Sequence, residues 1–300
     1  MSAVPPLVWH PDYVAPLRPG HPFPMSKYGY LRAALTERGL MEAWLAPAPL
    51  PALQIAGAHH IAYVDRVVAG ALAPEETRRI GLPATEAVAR RARLSAAGTL
   101  LAARIALERG LALNMAGGSH HAGPDYGAGY CVFNDVAVAA RRLLDEGLAR
   151  RVLVVDCDVH QGDGTARIFA EEPRVFTLSL HAAKNFPARK AVSDLDVALA
   201  DGTGDADYLA RLADALDEAL ARVAPDLVFY NAGVDPWEGD RLGRLALSRE
   251  GLRRRDRLVL ETLRARGLPV AAALGGGYSR DPAELAGRHA ILFEEAAALA

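Results

Sequence analysis

From residue 111 onward, short apolar runs alternate with longer segments that have a helical pattern. The apolar runs cover residues 111–115, 152–155, 175–180, 227–230 and 269–274. Strands without a polar face, separated by helices, are typical of a parallel sheet that helices cover on both sides. The alternation therefore predicts an α/β fold of three layers, with a mostly parallel central sheet between two layers of helices.

Start and stop signals define the predicted helices. We expect them at residues 27–40, 83 to about 109, 134–146, 205–223, 248–266 and 282–298. Gly110, Gly147 and Gly267 follow three of these helices, and Ser248 suits an N-cap. Residues 1–30, rich in proline and aromatic residues, predict an irregular N-terminal segment. No linker, repeat or low-complexity tract divides the sequence, so we expect one domain over residues 1–300.

The bulk composition excludes several classes of protein. The net charge of −2 predicts no nucleic-acid-binding surface and no basic membrane patch. The sequence has no signal-peptide pattern and no apolar run long enough to span a membrane, so the cytoplasm is the expected location. Cys131 and Cys157 lie in apolar surroundings, which indicate buried thiols rather than a disulfide. The oligomeric state is not readable from these features.

The segment Asp156-Cys157-Asp158-Val159-His160 follows the apolar run 152–155. Because side chains alternate along a strand, we expect residues 156, 158 and 160 to face the same way at the strand end. Three such polar groups are costly to bury without a partner, and a divalent cation such as zinc or iron would remove that cost. The alternative is a capped strand end, where the histidine bonds to a nearby aspartate.

Polar clusters follow four of the predicted strands. They are residues 117–121, residues 156–160, residues 233–235 and residues 275–278. Ligands of parallel sheets bind outside the carboxyl ends of the strands, so we expect the four clusters to surround one crevice. Taken singly, each cluster is explained as a turn or a loop anchor. A phosphate loop at 275–277 is excluded because no Gly-Lys-Ser/Thr follows.

Asp158, His160 and Asp235 make a set of three metal ligands. Catalytic zinc sites have three protein ligands and an open position for water. Such an ion can lower the pKa of water to about 7 and polarise a carbonyl group. The set therefore predicts one catalytic metal ion.

Acid–base groups accompany this set. The adjacent His120 and His121 have proton-transfer capacity near neutral pH, and Asp156 and Asp163 are the candidates to fix their tautomers. The phenol of Tyr278 could donate a hydrogen bond to a developing oxyanion. The glycines before Tyr278 allow the backbone to approach the site closely.

Together these motifs closely resemble the zinc-dependent histone deacetylase family and its acetylpolyamine and acetoin-utilisation relatives. The matching segments are residues 117–122, 129–135, 156–165, 179–181, 231–235 and 275–278. Residues 230–235 and 238–243, with His21-Pro22-Phe23, look most like the class IV deacetylases and their bacterial relatives. The resemblance implies an arginase/deacetylase-like fold.

The resemblance also implies a reaction and a set of roles. The reaction is hydrolysis of an N-acyl amide, the substrate being an acylated lysine in a protein or peptide or a small acylated amine. The metal ligands are Asp158, His160 and Asp235 for one zinc ion. The catalytic groups are His120 and His121, paired with Asp156 and Asp163, and Tyr278. The expected substrate-binding residues are Gly129 through its carbonyl, Tyr130 and Phe186 in an acyl channel, and Gly276.

A structural potassium ion is a further implication. Its ligands would be Asp156, Ser179 and the carbonyl groups of Asp158, His160 and Leu180. One departure concerns the rim, where several class I deacetylases carry an aspartate shortly before a proline, whereas this chain has Gly81-Leu82-Pro83. A peptide grip of that kind is therefore not implied.

Two other functions are compatible with the fold. A ureohydrolase of arginase type would need two metal ions and a further set of carboxylate and histidine ligands. A non-catalytic binding protein would keep the pocket for an acylated ligand. Iron in place of zinc, the acyl length and the amine all remain open at this stage.

Overall fold

The central sheet is built from seven parallel strands in the part of the chain that the structure, a computed structural model, describes, residues 4–41 and 43–299. The strands are β1 (Leu7–Val8), β2 (Leu111–Asn114), β3 (Val152–Asp156), β4 (Val175–Ala182), β5 (Leu195–Leu199), β6 (Leu227–Asn231) and β7 (Val270–Ala273). Their order across the sheet is β1-β2-β7-β6-β3-β4-β5, and every pairing is parallel. The predicted parallel sheet is confirmed.

Helices connect the strands and cover the sheet. They are α1 (Lys27–Glu37), α2 (Ala52–Ile55), α3 (Ile61–Val68), α4 (Pro74–Ile80), α5 (Glu86–Arg109), α6 (Asp135–Asp145), α7 (Asp163–Phe169), α8 (Asp205–Val223), α9 (Arg249–Ala265) and α10 (Pro282–Ala298). Helices α5, α6 and α7 form one contacting group, and α8, α9, α10 and α1 form another. The arrangement is the expected three-layer α/β fold.

The core runs along the middle of the sheet. All residues of β3 and β6 are buried, which explains why these strands have no polar face. The two cysteines are free and buried, as expected. In the described ranges, no helix is sufficiently long and apolar to cross a membrane.

Several helix boundaries agree with the predicted caps. The Oγ atom of Ser248 accepts a hydrogen bond from Gly251 N at the start of α9, as predicted. Helix α5 begins at Glu86 and not at residue 83, and its N-cap is Thr85, whose Oγ1 atom accepts a hydrogen bond from Val88 N. Gly110 and Gly267 end the same two helices with φ angles of +86° and +65°. Helix α1 is shorter than predicted, because it ends at Glu37 and not at residue 40.

The sequence prediction missed several short elements. The strand β1 and a 3-10 helix, Pro11–Tyr13, lie in the segment predicted to be irregular. Residues 1–3 of that segment lie outside the described residues. Strand β5 was missed because it lies at the sheet edge, where its residues alternate between partly exposed and buried positions and give no apolar run. Helices α2, α3, α4 and α7 have only four to eight residues each, too few for a clear periodicity.

Candidate active site

Four neighbouring strands place the polar clusters around one point. Strands β2, β7, β6 and β3 are consecutive in the sheet, and each is followed by one of the four clusters. Because the strands are parallel, their carboxyl ends open on the same edge. The loops after β6 and β7 are joined directly, since Val234 N donates to Gly276 O at 2.8 Å.

Asp158, His160 and Asp235 form the centre of this crevice. The Nδ1 atom of His160 lies 3.0 Å from Asp158 Oδ1 and 3.2 Å from Asp235 Oδ2. One ligand atom from each residue lies within 4.8 Å of the others, and all three residues are buried. The geometry can hold a metal ion with one nitrogen and two oxygen ligands, a donor set that suits zinc.

An unsatisfied atom supports this assignment of the three residues to a metal. The Oδ2 atom of Asp235 is buried, and its contact with His160 Nδ1 at 3.2 Å is an ion pair without hydrogen-bond geometry in the described chain. A buried carboxylate oxygen that accepts no hydrogen bond is costly. A cation at this point would remove the cost, whereas a capped strand end would leave it.

The alignment of residues 156, 158 and 160 that was predicted from strand alternation is wrong. Strand β3 ends at Asp156, and Asp158 and His160 lie in a bend beyond it, so strand alternation does not align the three side chains. Asp156 turns instead toward His120 and Asn231. The cluster is completed by Asp235 from the neighbouring loop.

Gly276 leaves room for the two carboxylates. Its N–H group donates to Asp158 Oδ2 at 2.6 Å. A Cβ atom at this position would lie 2.1 Å from Asp235 Oδ2 and 2.7 Å from Asp158 Oδ2. Only glycine allows this approach of the backbone.

Each of the tandem histidines is hydrogen-bonded to its own aspartate. His120 Nδ1 lies 2.6 Å from Asp156 Oδ2, and His121 Nδ1 lies 2.7 Å from Asp163 Oδ1. The two imidazole rings are 4.1 Å apart between centroids. In both residues the Nε2 atom is therefore the ring nitrogen left to face the crevice.

The two histidines have opposite pKa shifts. Burial opposes the charge on His120, but the carboxylates of Asp156 and Asp158 outweigh it and raise the pKa to about 9. Burial, reinforced by the charge of His120, lowers the pKa of His121 to about 4. These opposite shifts favour the charged form of His120 and the neutral form of His121.

Tyr278 lies beside the metal-ligand candidates. Its ring centroid is 6.4 Å from that of His160 and 5.9 Å from that of Tyr130. Burial, followed by the charge of Asp235, raises the pKa of the Tyr278 phenol well above its usual value. The hydroxyl group therefore keeps its proton and can donate a hydrogen bond.

Gly129, Tyr130 and Phe186 lie around the same crevice. Gly129 and Tyr130 both adopt left-handed φ angles, +54° and +66°. A Cβ atom on Gly129 would lie 2.6 Å from His121 Cδ2, so the backbone passes close to the imidazole ring. The ring of Phe186, 47% exposed, packs edge-on against His121 with the centroids 4.8 Å apart.

The cavity at the site is small and contains residues that the sequence prediction missed. Its volume is about 30 Å³. It is lined by the tandem histidines and Tyr278, and also by Phe23, Lys27, Tyr28 and Arg91. Lys27 and Arg91 are buried cations, which is unusual for these residue types. The sequence does not show that they are buried, because their burial depends on where the helices lie in the fold. A larger cavity of 470 Å³ lies at the other end of the strands, near the amino ends of β1, β2 and β7, and is lined by Pro6 and Leu111 among others.

The expected potassium ligands lie next to the metal-ligand loop. Asp156 and Ser179 are directly opposite each other in the pairing of β3 with β4. The Oδ1 atom of Asp156 accepts hydrogen bonds from Asp158 N and Asn231 Nδ2. These contacts brace Asp156, and the potassium site itself stays a prediction.

The chain belongs to the histone deacetylase family. The sequence profile of the histone deacetylase domain matches residues 21–291. An uncharacterized protein of a Picosynechococcus species is 49% identical over 293 residues, which cover 97% of this chain and 98% of that protein. Histone deacetylase 2 of Arabidopsis thaliana is 31% identical over 88% of this chain and 71% of its own length.

Two further comparisons agree. A probable deacetylase of Methanothermobacter thermautotrophicus is 35% identical over 67% of this chain and 63% of its own length. The crystal structure of the HDA15 HD domain superposes with a TM-score of 0.81, covering 97% of this chain and 90% of that one at 22% identity. The structural match confirms the deacetylase-like fold.

Proposed function

We propose that the chain, over residues 1–300, is a single catalytic domain that hydrolyses an N-acyl amide with one zinc ion. Membership of the histone deacetylase family supports deacylation in general. The observation that carries the finer proposal is the position of two His–Asp pairs beside the Asp158–His160–Asp235 trio.

Asp158, His160 and Asp235 would hold the zinc ion. When bound, the ion polarises the acyl carbonyl and lowers the pKa of water to about 7. Tyr278 donates a hydrogen bond to the carbonyl oxygen as negative charge develops on it. The phenol is suited to this role because its pKa is raised by burial.

The two histidines divide the proton transfers. His121 accepts a proton from the attacking water at Nε2, because this imidazole is neutral and its Nδ1 atom is bonded to Asp163. A proton then passes to the leaving amine from one of the two histidines. Gly129 accepts the substrate N–H at its carbonyl, Tyr130 and Phe186 flank the acyl chain, and Gly276 contacts the substrate from the glycine turn.

Asp156 has two parts in the proposal. It orients His120 through the 2.6 Å hydrogen bond, and with Ser179 and the carbonyl groups of Asp158, His160 and Leu180 it binds a potassium ion. The pairing of Asp156 with Ser179 in adjacent strands supports this ligand set. The added positive charge would tune the neighbouring His–Asp pair.

The substrate class is an acylated lysine or a small acylated amine. The rim segment 81–83 adjoins the channel, since a Cβ atom on Gly81 would lie 3.0 Å from the Tyr130 ring. This segment has no carboxylate to grip a peptide backbone. We therefore propose that binding depends on the acyl group and its amide more than on a flanking peptide.

A substrate panel tests the proposal. Purified protein with one equivalent of zinc is assayed against acyl-lysine peptides and acyl-polyamines of increasing acyl length, with and without a zinc-binding hydroxamate. We expect amide hydrolysis that the hydroxamate abolishes. Absence of hydrolysis across the panel, with hydroxamate still bound, would favour a binding protein instead.

The metal content of the purified protein distinguishes the proposed deacylase from a ureohydrolase. A ureohydrolase needs two metal ions, and in the described ranges the structure brings together a single group of three metal-ligating side chains. One zinc ion per chain is the expected content. Two tightly bound manganese ions per chain would contradict the proposal, and one iron ion would correct the metal.

A further inference from the structure

Asp240 connects the two loops that carry Asp235 and Tyr278. Its Oδ1 atom accepts hydrogen bonds from Leu242 N at 2.9 Å and Gly243 N at 3.3 Å. Its Oδ2 atom accepts one from Tyr278 N at 2.7 Å. The carboxylate therefore ties the loop after β6 to the loop after β7.

A buried arginine from α10 braces this carboxylate. The side chains of Asp240 and Arg288 are 0% and 1% exposed, and Nη1 of Arg288 lies 3.7 Å from Asp240 Oδ2. The Arg288 guanidinium stacks 4.0 Å above the ring of Trp237, in the same loop as Asp240. Its Nε atom lies 3.1 Å from Glu284, one turn earlier in the helix. Stacking on Trp237 and the ion pairs with Asp240 and Glu284, none of which is a hydrogen bond, place the guanidinium opposite Asp240.

The backbone of Tyr278 needs these contacts because the glycine-rich segment before it has much conformational freedom. Gly275 and Gly277, which precede it, have φ angles of +65° and +149°, and glycine has more backbone freedom than other residues. The backbone of Tyr278 is fixed on both sides by residues 240 and 241, since Tyr278 N donates to Asp240 and Arg241 N donates to Tyr278 O at 3.3 Å.

We propose that Asp240, braced by Arg288, is a positioning residue that sets the placement of the Tyr278 phenol over the reacting carbonyl. The inference rests on the function proposed above. Misplacement by about 1 Å can cost a reaction about 10²-fold, so the carboxylate matters without touching the substrate. Asparagine at this position keeps one acceptor oxygen but turns an NH₂ group toward one of the N–H donors and loses the charge facing Arg288.

A double-mutant cycle tests the connection through Tyr278. Tyr278→Phe should lower kcat by about 10²–10³-fold, as for other oxyanion donors. Asp240→Asn should lower kcat by about 10- to 100-fold with zinc content unchanged. In the Tyr278→Phe background the same change should cost less than about 2-fold, because coupled residues are not additive. Equal losses in the two backgrounds, or no loss in either, would overturn the proposal.

Asp201→Asn is the matched control. Asp201 is a partly exposed carboxylate that pairs with Arg244 at 3.0 Å and contacts neither Asp235 nor Tyr278. The same charge is removed, and kcat should stay within about 2-fold, as surface substitutions usually change little.

Amide hydrogen exchange gives a readout that needs no turnover. Asp240→Asn should raise the exchange rate of residues 275–281 and leave that of β3 and β4 unchanged. If the wild type hydrolyses no substrate, the proposed function fails, while exchange still decides whether Asp240 holds the Tyr278 loop. Unchanged exchange at 275–281 would refute the tether.

Arg288 supplies a second pair of variants should Asp240→Asn not fold. Arg288→Lys keeps a cation opposite Asp240, whereas Arg288→Met removes it. We expect faster exchange of residues 275–281 in Arg288→Met than in Arg288→Lys, with a correspondingly larger loss of kcat. Equal behaviour of the two variants would show that the charge opposite Asp240 has no part in positioning Tyr278.

Discussion

The Oδ1 atom of Asp163 lies 2.7 Å from Nδ1 of His121, and the other carboxylate oxygen is bound by Arg167 one helical turn later. Asp163 is thus held from two sides at the start of α7. Burial acts to raise the pKa of Asp163, but the His121 hydrogen bond and then the Arg167 ion pair outweigh it and lower the pKa below its usual value. An ionised Asp163 accepts the Nδ1 proton and leaves Nε2 of His121 as the acceptor in the crevice.

Asp163→Asn should therefore lower kcat strongly. An asparagine amide can donate to Nδ1 and stabilise the opposite tautomer, in which Nε2 carries the proton. The loss should be on the order of 10²–10⁴-fold, the usual contribution of a general base. Steady-state kinetics on an acyl-lysine peptide measures the effect, with zinc content as the control. A variant with undiminished kcat would show that His121 is not the proton acceptor.

Asp235→Ala should abolish metal binding and turnover. Removing one of three ligands leaves Asp158 and His160 without the atom that completes the set. Metal content by elemental analysis and kcat are the two measurements. Asp217→Asn, at a 70% exposed side chain on α8, is a control that should retain one zinc ion per chain. Full activity in Asp235→Ala would exclude the site as described.

Gly276→Ala should weaken zinc binding without unfolding the domain. The new Cβ atom would meet Asp235 Oδ2 at 2.1 Å, and overpacking of this kind costs about 1–3 kcal/mol. Since 1.4 kcal/mol is tenfold in an equilibrium constant, zinc affinity should fall about tenfold or more. Competition with a chelator measures the affinity.

Gly29→Ala is the corresponding control for an added methyl group. Gly29 lies in α1, and a Cβ atom there would make an ordinary contact of 3.7 Å with Val14. Zinc affinity should be unchanged in this variant. The same loss of affinity in both variants would indicate a general rather than a local effect.

His59 predicts a loss of stability in mild acid. Burial lowers the pKa of His59 to about 4. The neutral ring donates a hydrogen bond from Nδ1 to Gly123 O and accepts one at Nε2 from Asn134 N. The pKa of His59 is lower in the folded state than the unfolded value of about 6.5. The neutral ring therefore contributes its full share of the free energy of unfolding above about pH 6.5, and this share is lost as the pH falls toward 4. At 1.36 kcal/mol per pKa unit, this amounts to about 3 kcal/mol.

Urea unfolding between pH 4 and pH 7 measures the effect. His59→Gln should be less stable than the wild type at pH 7 but should lose less stability on acidification. His10→Gln, at a mostly buried residue of the N-terminal segment, serves as a comparison because His10 shows no such pair of buried backbone bonds. An unchanged pH dependence in His59→Gln would contradict the assignment.

The sequence predicted the elements that have strong local signals. Helices α8 and α10 have the predicted bounds because their apolar faces and end signals are clear, and the four polar clusters follow neighbouring strands as expected. The roles of the site residues came from the joint pattern and its resemblance to a family, and these roles stay proposals.

Tertiary contacts decided what the sequence could not reveal. The turn of Asp158 and His160 away from β3 depends on packing against Asp235, which is 75 positions or more along the chain. Lys27, at the start of α1, and Arg91, in α5, reach the cavity from helices that lie far from its other residues in sequence, and Lys27 donates a hydrogen bond to Gly275 O there. Asp240 looks like an ordinary surface carboxylate until Arg288 and Tyr278 are seen to enclose it.

The last strand to be synthesised, β7, inserts between β2 and β6 in the middle of the sheet. No partly made chain can therefore bring the tyrosine loop beside the aspartates, and an incomplete chain has no working centre. Because Tyr278 follows β7, the catalytic centre proposed above would be complete only after the C-terminal part of the polypeptide has left the ribosome, and hydrolysis is not expected before then.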